Sequence, residues 1–303
     1  KKRKGDGGQM GKKKAKFDFV SMGFIAPAFL FFTLFIIVPT IASVYYSFTS
    51  WDGLNPVVKF VGLANYKEIF TSARFGNALK NTVILTAFIS ILENSMALIL
   101  ALIVDNVRWG KNFFRSAFYV PVLISGIVSG FIWKIMYNYN FGAVNTIFRS
   151  LGMGEYCQDW LGNPKLALIM VGVVLVWKGA GYYMIIYLAS LQSVPTDVVE
   201  AAAIDGASPL QRFKAITLPL ISGAFTINLT LSLINGLKVF DQISVMTDGG
   251  PGFTTETIVY LLYKVGFNEG RQGFGTAVGI VLLFIILILN AIQQSILKRS
   301  SLV

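Results

Sequence analysis

The sequence predicts an all-α polytopic membrane protein of about six transmembrane helices. Three observations carry this. Hydrophobic residues make up 54% of the 303-residue chain and charged ones only 14%, with a mean hydropathy of +0.64, which is membrane composition. Apolar runs near the ~20 residues that cross a bilayer recur, at 19–48, 78–104, 116–137, 166–190, 219–242 and 274–297. Lysine and arginine also concentrate in alternate connecting segments, as the positive-inside rule requires.

Composition excludes several chemistries. There is no histidine and one cysteine, Cys157, so imidazole acid–base catalysis, His/Cys metal sites and an intrachain disulfide are absent. No G-x4-G-K-[ST] phosphate loop occurs, so any ATPase driving this chain is another polypeptide. The net charge of +11 does not indicate nucleic acid. Eight cations lie within residues 1–16, and residues 1–17 read as a disordered basic cytoplasmic tail that sets topology and attracts anionic headgroups. Residues 18–303 are then a single transmembrane domain.

In chain order, the first run is far longer than a signal-peptide core and reads as an uncleaved anchor, with kinks expected at Pro27 and Pro39. With the tail inside, the inner segments hold fifteen Lys and Arg and the outer ones seven, so both termini are expected in the cytoplasm. The first outer loop carries Trp51-Asp52-Gly53 and Phe60 to Tyr66, which suit either interface anchoring or contact with a partner. The second span places Glu93-Asn94 near its middle, where a carboxylate costs roughly 2.5–3.5 kcal/mol. Glu93 is therefore a substrate contact, a partner for an intramembrane lysine or a structural hydrogen-bond node. Gly126 and Gly130 in the third span allow close helix packing. The loop after it, with Phe141 to Asn145 and Trp160, also carries the solitary Cys157.

The fourth span contains Trp177-Lys178-Gly179-Ala180-Gly181-Tyr182-Tyr183. A mid-depth lysine, glycines that thin the helix and clustered aromatics suit a polar site in which rings stack on sugar faces. Snorkelling of Lys178 or its pairing with Glu93 would serve packing instead. In the fifth span Asn228, Ser232 and Asn235 share one helical face, which must line water, substrate or another helix. Thr247 to Thr255 includes Gly249-Gly250-Pro251, a tight turn, and is expected to lead into an interfacial helix at the outer surface.

Between the fourth and fifth spans, residues 195–218 are not a slack loop. Pro195, Thr196 and Asp197 start a short Ala-rich helix that Asp205-Gly206 breaks, and Ser208-Pro209 with Gln211 starts a second. Two short helices joined by a glycine elbow make a knob that needs a socket.

Glu200, Ala201, Ala202, Gly206, Ile216, Leu218 and Pro219 match E-A-A-x3-G-x9-I-x-L-P. This resembles the cytoplasmic coupling loop of permease subunits in bacterial binding-protein-dependent ABC importers. The segment from Thr247 to Thr255 resembles the T-x-G-G-P segment of the carbohydrate branch, which includes the maltose transporter. The likeness covers about residues 18–297. It implies the type I importer permease fold in the bacterial cytoplasmic membrane. It also implies import of a di- or oligosaccharide without catalysis by this chain. The partners it implies are a second homologous permease, two ATPases carrying ATP and Mg, an extracellular solute-binding protein and the lipid bilayer. Glu200, Ala201, Ala202, Asp205, Gly206, Ile216, Leu218 and Pro219 would couple to the ATPase.

Aligned on the coupling motif without gaps, Gly179, Tyr182, Ser232 and Gly236 fall at positions that line the mid-membrane sugar site in the maltose-transporter subunit, although Gly236 lacks a polar side chain. The substrate path would comprise Glu93, Trp177, Lys178, Gly179, Tyr182, Ser232, Asn235 and Gly236. Lys134, Lys178 and Lys238 keep open an acidic saccharide or a phosphorylated polyol. An ion-coupled secondary transporter has only Glu93 to recommend it, and a membrane enzyme lacks a catalytic constellation.

The knob can be tested at its elbow. Replacing Gly206 with a bulky residue uncouples ATP hydrolysis from uptake, so that uptake collapses while ATPase activity persists. Near-normal uptake in a Gly206→Phe variant refutes the coupling assignment.

Overall fold

The computed structural model describes residues 19–300, with side chains from 23 to 296. The expected basic tail at 1–17 lies outside the described residues, as do the side chains of Lys298 and Arg299. The chain divides after Tyr45 into two compact units.

The first unit is helical: α1 (Phe19–Phe32), a π-helical turn at Thr33–Ile37 and the start of α2 (Val38–Ser47). The distortion expected at Pro39 takes the form of that turn. Proline has no N–H to continue the ladder, and the Val38 N–H reaches back five residues to the Thr33 carbonyl, which widens the helix.

The second unit starts at Tyr46. A short helix α3 (Ala64–Thr71) precedes the long α4 (Ala73–Asn106). Then come α5 (Lys111–Leu123), α6 (Gly126–Met136) and α7 (Ala143–Ser150), followed by α8 (Ala167–Leu191). The knob comprises α9 (Thr196–Ile204), α10 (Pro209–Arg212), a π turn at Phe213–Thr217 and α11 (Leu218–Leu220). The last elements are α12 (Ser222–Leu237), α13 (Ile258–Tyr263) and α14 (Gln272–Ser300). Among the described residues four helices, counting α1–α2 as one, are long and apolar enough to cross a membrane, and the spans number up to six if each of two bent pairs is one span.

One expectation needs correction. The third run, expected to be continuous over 116–137, is broken: α5 and α6 meet at 94°. Ile124 is extended, and Ser125 caps the new helix by accepting from the Val128 N–H at 3.2 Å. A capping serine shortly beyond Pro121 ends one helix and begins another. The segment after the Gly-Gly-Pro turn is helical, and one of its faces packs into the protein. In α13 and the π turn Lys264–Asn268 that extends it, Ile258, Tyr260, Leu261 and Val265 are buried.

Packing runs in three stacked clusters. Ile69, Phe75 and Ala78 meet α13 and Phe274, Ala277 and Val278 of α14. Leu85 and Ile89 meet Val171 and Val174 of α8. Ala97, Ala101 and Val104 meet Tyr183, Tyr187 and Leu188, with Ile221 and Ala224. The order of these pairs makes α4 and α8 parallel and α12 antiparallel to both.

Polar side chains lock this register. Asn94 donates to the Ser232 hydroxyl at 3.0 Å and accepts from the Tyr187 hydroxyl at 3.0 Å, which joins α4, α12 and α8. Asn228 donates to the Tyr183 carbonyl at 3.1 Å, and Asn235 to the Tyr183 hydroxyl at 3.2 Å. Gly236 lets α12 touch α4: a Cβ there would lie 2.8 Å from Thr86 Cγ2 and 3.0 Å from Thr86 Cα.

At the other end of α4, Arg74 clamps the Gly-Gly-Pro segment. Its guanidinium bonds Glu256 at 2.7 and 2.9 Å and Glu269 at 2.7 Å, and lies 4.8 Å from the Phe253 ring centre. Glu256 is 1% exposed. Asn81 donates to the Phe253 and Glu256 carbonyls at 3.2 and 3.1 Å.

Removing Arg74 strands a buried carboxylate, so Arg74→Ala should cost about 3–5 kcal/mol. A lower melting temperature of the solubilised protein measures it, and unchanged melting refutes the clamp. Gly236→Asn should force α12 off α4 and cost about 1–3 kcal/mol. A stable, fully assembled Gly236→Asn variant contradicts that.

Candidate functional site

Midway along α4 and α8 the helices border an open cavity of about 440 Å³. Glu93 of α4, Lys178, Gly179 and Tyr182 of α8, Asn235 of α12 and the residues after α12 from Lys238 to Gln242 lie on its wall. Two carboxylates, Glu93 and Asp241, thus face the same space as two ammonium groups, Lys178 and Lys238. The formal charges cancel. Tyr182 offers a half-open ring, with the Tyr183 ring edge-on at 5.4 Å. Hydrogen-bond donors and acceptors around one aromatic face can bind a small polar molecule with apolar faces.

The structure brings five of the eight expected path residues together: Glu93, Lys178, Gly179, Tyr182 and Asn235. Glu93 and Lys178 form no direct ion pair, although they share the cavity. Trp177, Ser232 and Gly236 lie off its wall. Trp177 packs against Trp133, with ring centres 5.5 Å apart, and borders an apolar groove between α4 and α8. Ser232 and Gly236 are helix-packing positions, because the shared polar face of α12 points at α4 and α8. A polar stripe looks the same in sequence whether it meets water or another helix. Lys238 and Asp241 belong to the cavity but lie beyond the end of α12. Their only sequence signal was charge inside an apolar run. Lys134 instead donates to the Val245 carbonyl at 2.9 Å.

The motifs expected in outer loops close on themselves. Asn65 donates to the Ser47 and Thr49 carbonyls at 2.8 Å each. Asn145, fully buried, accepts from the Trp160 indole at 2.8 Å and donates to the Tyr139 and Gln158 carbonyls. In the Gly-Gly-Pro turn Asp248 adopts a left-handed conformation and takes hydrogen bonds from Tyr260 and Lys264. The Tyr260 bond, foremost, holds its carboxyl below the usual carboxylate range.

The knob has the geometry its sequence dictates. Ser208 and Gln211 form a reciprocal capping box, with Ser208 N–H donating to Gln211 Oε1 at 2.7 Å. Gly206 sits at φ +86° with open space around it, so a side chain there is opposed by backbone strain alone. Glu200, Ala201, Asp205 and Pro219 are exposed, and Ala202 and Ile216 are half-buried. Val198, Ile204, Leu210 and Leu218 are exposed apolar residues, Ile204 at 87%. Such a surface on a fixed, capped scaffold is built to be covered.

Residues 93–301 match the family described as the inner membrane component of binding-protein-dependent transport systems. A probable starch degradation products transport system permease of Thermoanaerobacterium thermosulfurigenes is 35% identical over 91% of this chain and 93% of its own length. The trehalose/maltose transport system permease of Thermococcus litoralis is 35% identical over 90% of this chain and 92% of its own. The crystal structure of a bacterial alginate ABC transporter in complex with an alginate pentasaccharide-bound periplasmic protein shares the fold. Its matching chain has a TM-score of 0.82 at 23% identity, covering 94% of this chain and 96% of that one. With six candidate spans, a capped knob between the fourth and fifth, and relatives aligned along nearly its whole length, the chain belongs to the binding-protein-dependent transport system inner membrane components, the permease subunits of ABC importers.

Proposed function

We propose that this permease carries a neutral di- or oligosaccharide into the cytoplasm, delivered by an extracellular binding protein and driven by partner ATPases. The observation that carries the substrate reading is the 440 Å³ cavity in which two carboxylates and two ammonium groups balance around the Tyr182 ring. Its size lies within the range of small-molecule sites. Its charge balance favours a neutral polyhydroxylated ligand over an anion. The names of the starch-product and trehalose/maltose relatives point the same way.

The machine would contain a second, homologous permease and two ATPase subunits that hold ATP and Mg. The 195–218 knob, with both termini on the cytoplasmic side, would dock in an ATPase groove through Val198, Ile204 and Leu210. Closure of the ATPase dimer then rocks the helices and exposes the cavity alternately to each side. This chain breaks no covalent bond.

The test is ATPase stimulation of the reconstituted complex, with its partner subunits and binding protein, across neutral and acidic saccharides. Stimulation by neutral oligosaccharides is the expected result. Stimulation by acidic ones alone moves the substrate class, and silence across the panel removes the carbohydrate reading while leaving the family assignment intact.

A further inference from the structure

A carboxylate inside a membrane protein needs a cation or hydrogen-bond donors, because hydrocarbon supplies neither. Glu93 is 5% exposed, and among the described residues it has no hydrogen bond and no ion pair within 4.0 Å. The neighbouring backbone is cut away to hold it on the cavity wall. A Cβ on Gly179 would lie 2.3 Å from Glu93 Oε1 and 2.9 Å from its carboxyl carbon. Asp241 is seated the same way, since a Cβ on Gly126 would lie 2.1 Å from its Oδ2. Lys178 and Lys238 share the cavity with them. None of these four charges is paired with another among the described residues, so the cavity presents them to whatever enters it.

We propose that the Glu93 carboxylate, held against Gly179, is the specificity-determining ligand of this cavity. It accepts hydrogen bonds from adjacent hydroxyls of a neutral sugar ring lying on Tyr182, and it turns away anionic sugars. The proposal rests on the carbohydrate reading of the site. A carboxylate offers two oxygens that accept from a vicinal pair of hydroxyls, and a charged acceptor binds them about twice as strongly as a neutral one. A site built to bond hydroxyls also rejects molecules that lack them. A uronate would bring an extra negative charge into a cavity where Glu93 and Asp241 already balance Lys178 and Lys238. Gly179 acts through Glu93 and is a positioning residue: its missing side chain is the space the carboxylate fills.

The experiment uses the complete importer in lipid nanodiscs, held with a non-hydrolysable ATP analogue. The probes are radiolabelled maltotriose, cellotriose and raffinose as neutral saccharides and trigalacturonate as the acidic one. The unaltered complex should retain a neutral probe and exclude trigalacturonate. Glu93→Gln should weaken retention of that neutral probe about tenfold and relax the exclusion of trigalacturonate. Gly179→Ala should weaken neutral binding comparably while keeping the negative charge and the exclusion, a pattern a purely structural role does not produce. Unchanged neutral affinity in Glu93→Gln overturns the proposal and leaves the carbohydrate reading standing. So does preference of the unaltered complex for trigalacturonate. Failure of the unaltered complex to retain any saccharide overturns both together.

Discussion

A polar side chain within a membrane helix must find its partner in the protein, and Asn94 meets that constraint by joining three helices. One amide takes a hydroxyl from α8 and gives a hydrogen to a hydroxyl on α12. It therefore fixes the rotation of both helices about α4. With that rotation set, Gly236 comes against Thr86, Asn228 reaches the Tyr183 carbonyl, and Lys178 and Tyr182 turn toward the cavity. In hydrocarbon the apolar effect does not drive helices together, so register is left to such bonds and to close fit at small residues.

The far end of α4 solves a different problem. There the chain leaves regular helix for a turn rich in positive φ angles at Asp248, Gly249, Gly252 and Phe253. Irregular backbone needs donors and acceptors brought to it. Asn77, Asn81 and Thr82, on one face of α4, supply them to the Phe253 and Glu256 carbonyls and the Ile258 N–H, while Arg74 on the same face holds the Glu256 side chain. Thr257, next to the clamped Glu256, donates to the Val239 carbonyl at 2.9 Å and so ties this segment to the stretch that carries Lys238 and Asp241.

Much of this was legible in the sequence. Long apolar runs gave α4, α8 and α14 within a few residues, because length and hydropathy leave a spanning helix few alternatives. The knob was legible in detail, since Ser208, Gln211 and Gly206 act through local backbone chemistry. What could not be read depended on partners distant in the chain. Arg74 and Glu256 lie 182 positions apart, and neither carries a local signal of pairing. Ser232 and Gly236 share a face with cavity residues in any helical projection, and only packing shows that they turn toward α4. The break between α5 and α6 hid inside a run whose hydropathy never falls, its one local sign being Ser125 after Pro121.

The bend between α11 and α12 has a mechanical meaning. The two segments meet at 67°, and the residue at the vertex, Ile221, is completely buried among side chains of α4 and α8. A glycine hinge open to solvent would flex and dissipate a displacement applied to one arm. A vertex packed on every side is stiff, so force applied to the exposed arm reaches the other with little loss. The arms are of similar length, Pro209–Leu220 on the knob side and the sixteen residues of α12 that end at the cavity. A push on the knob arm therefore swings Asn235 and Lys238 by a comparable amount.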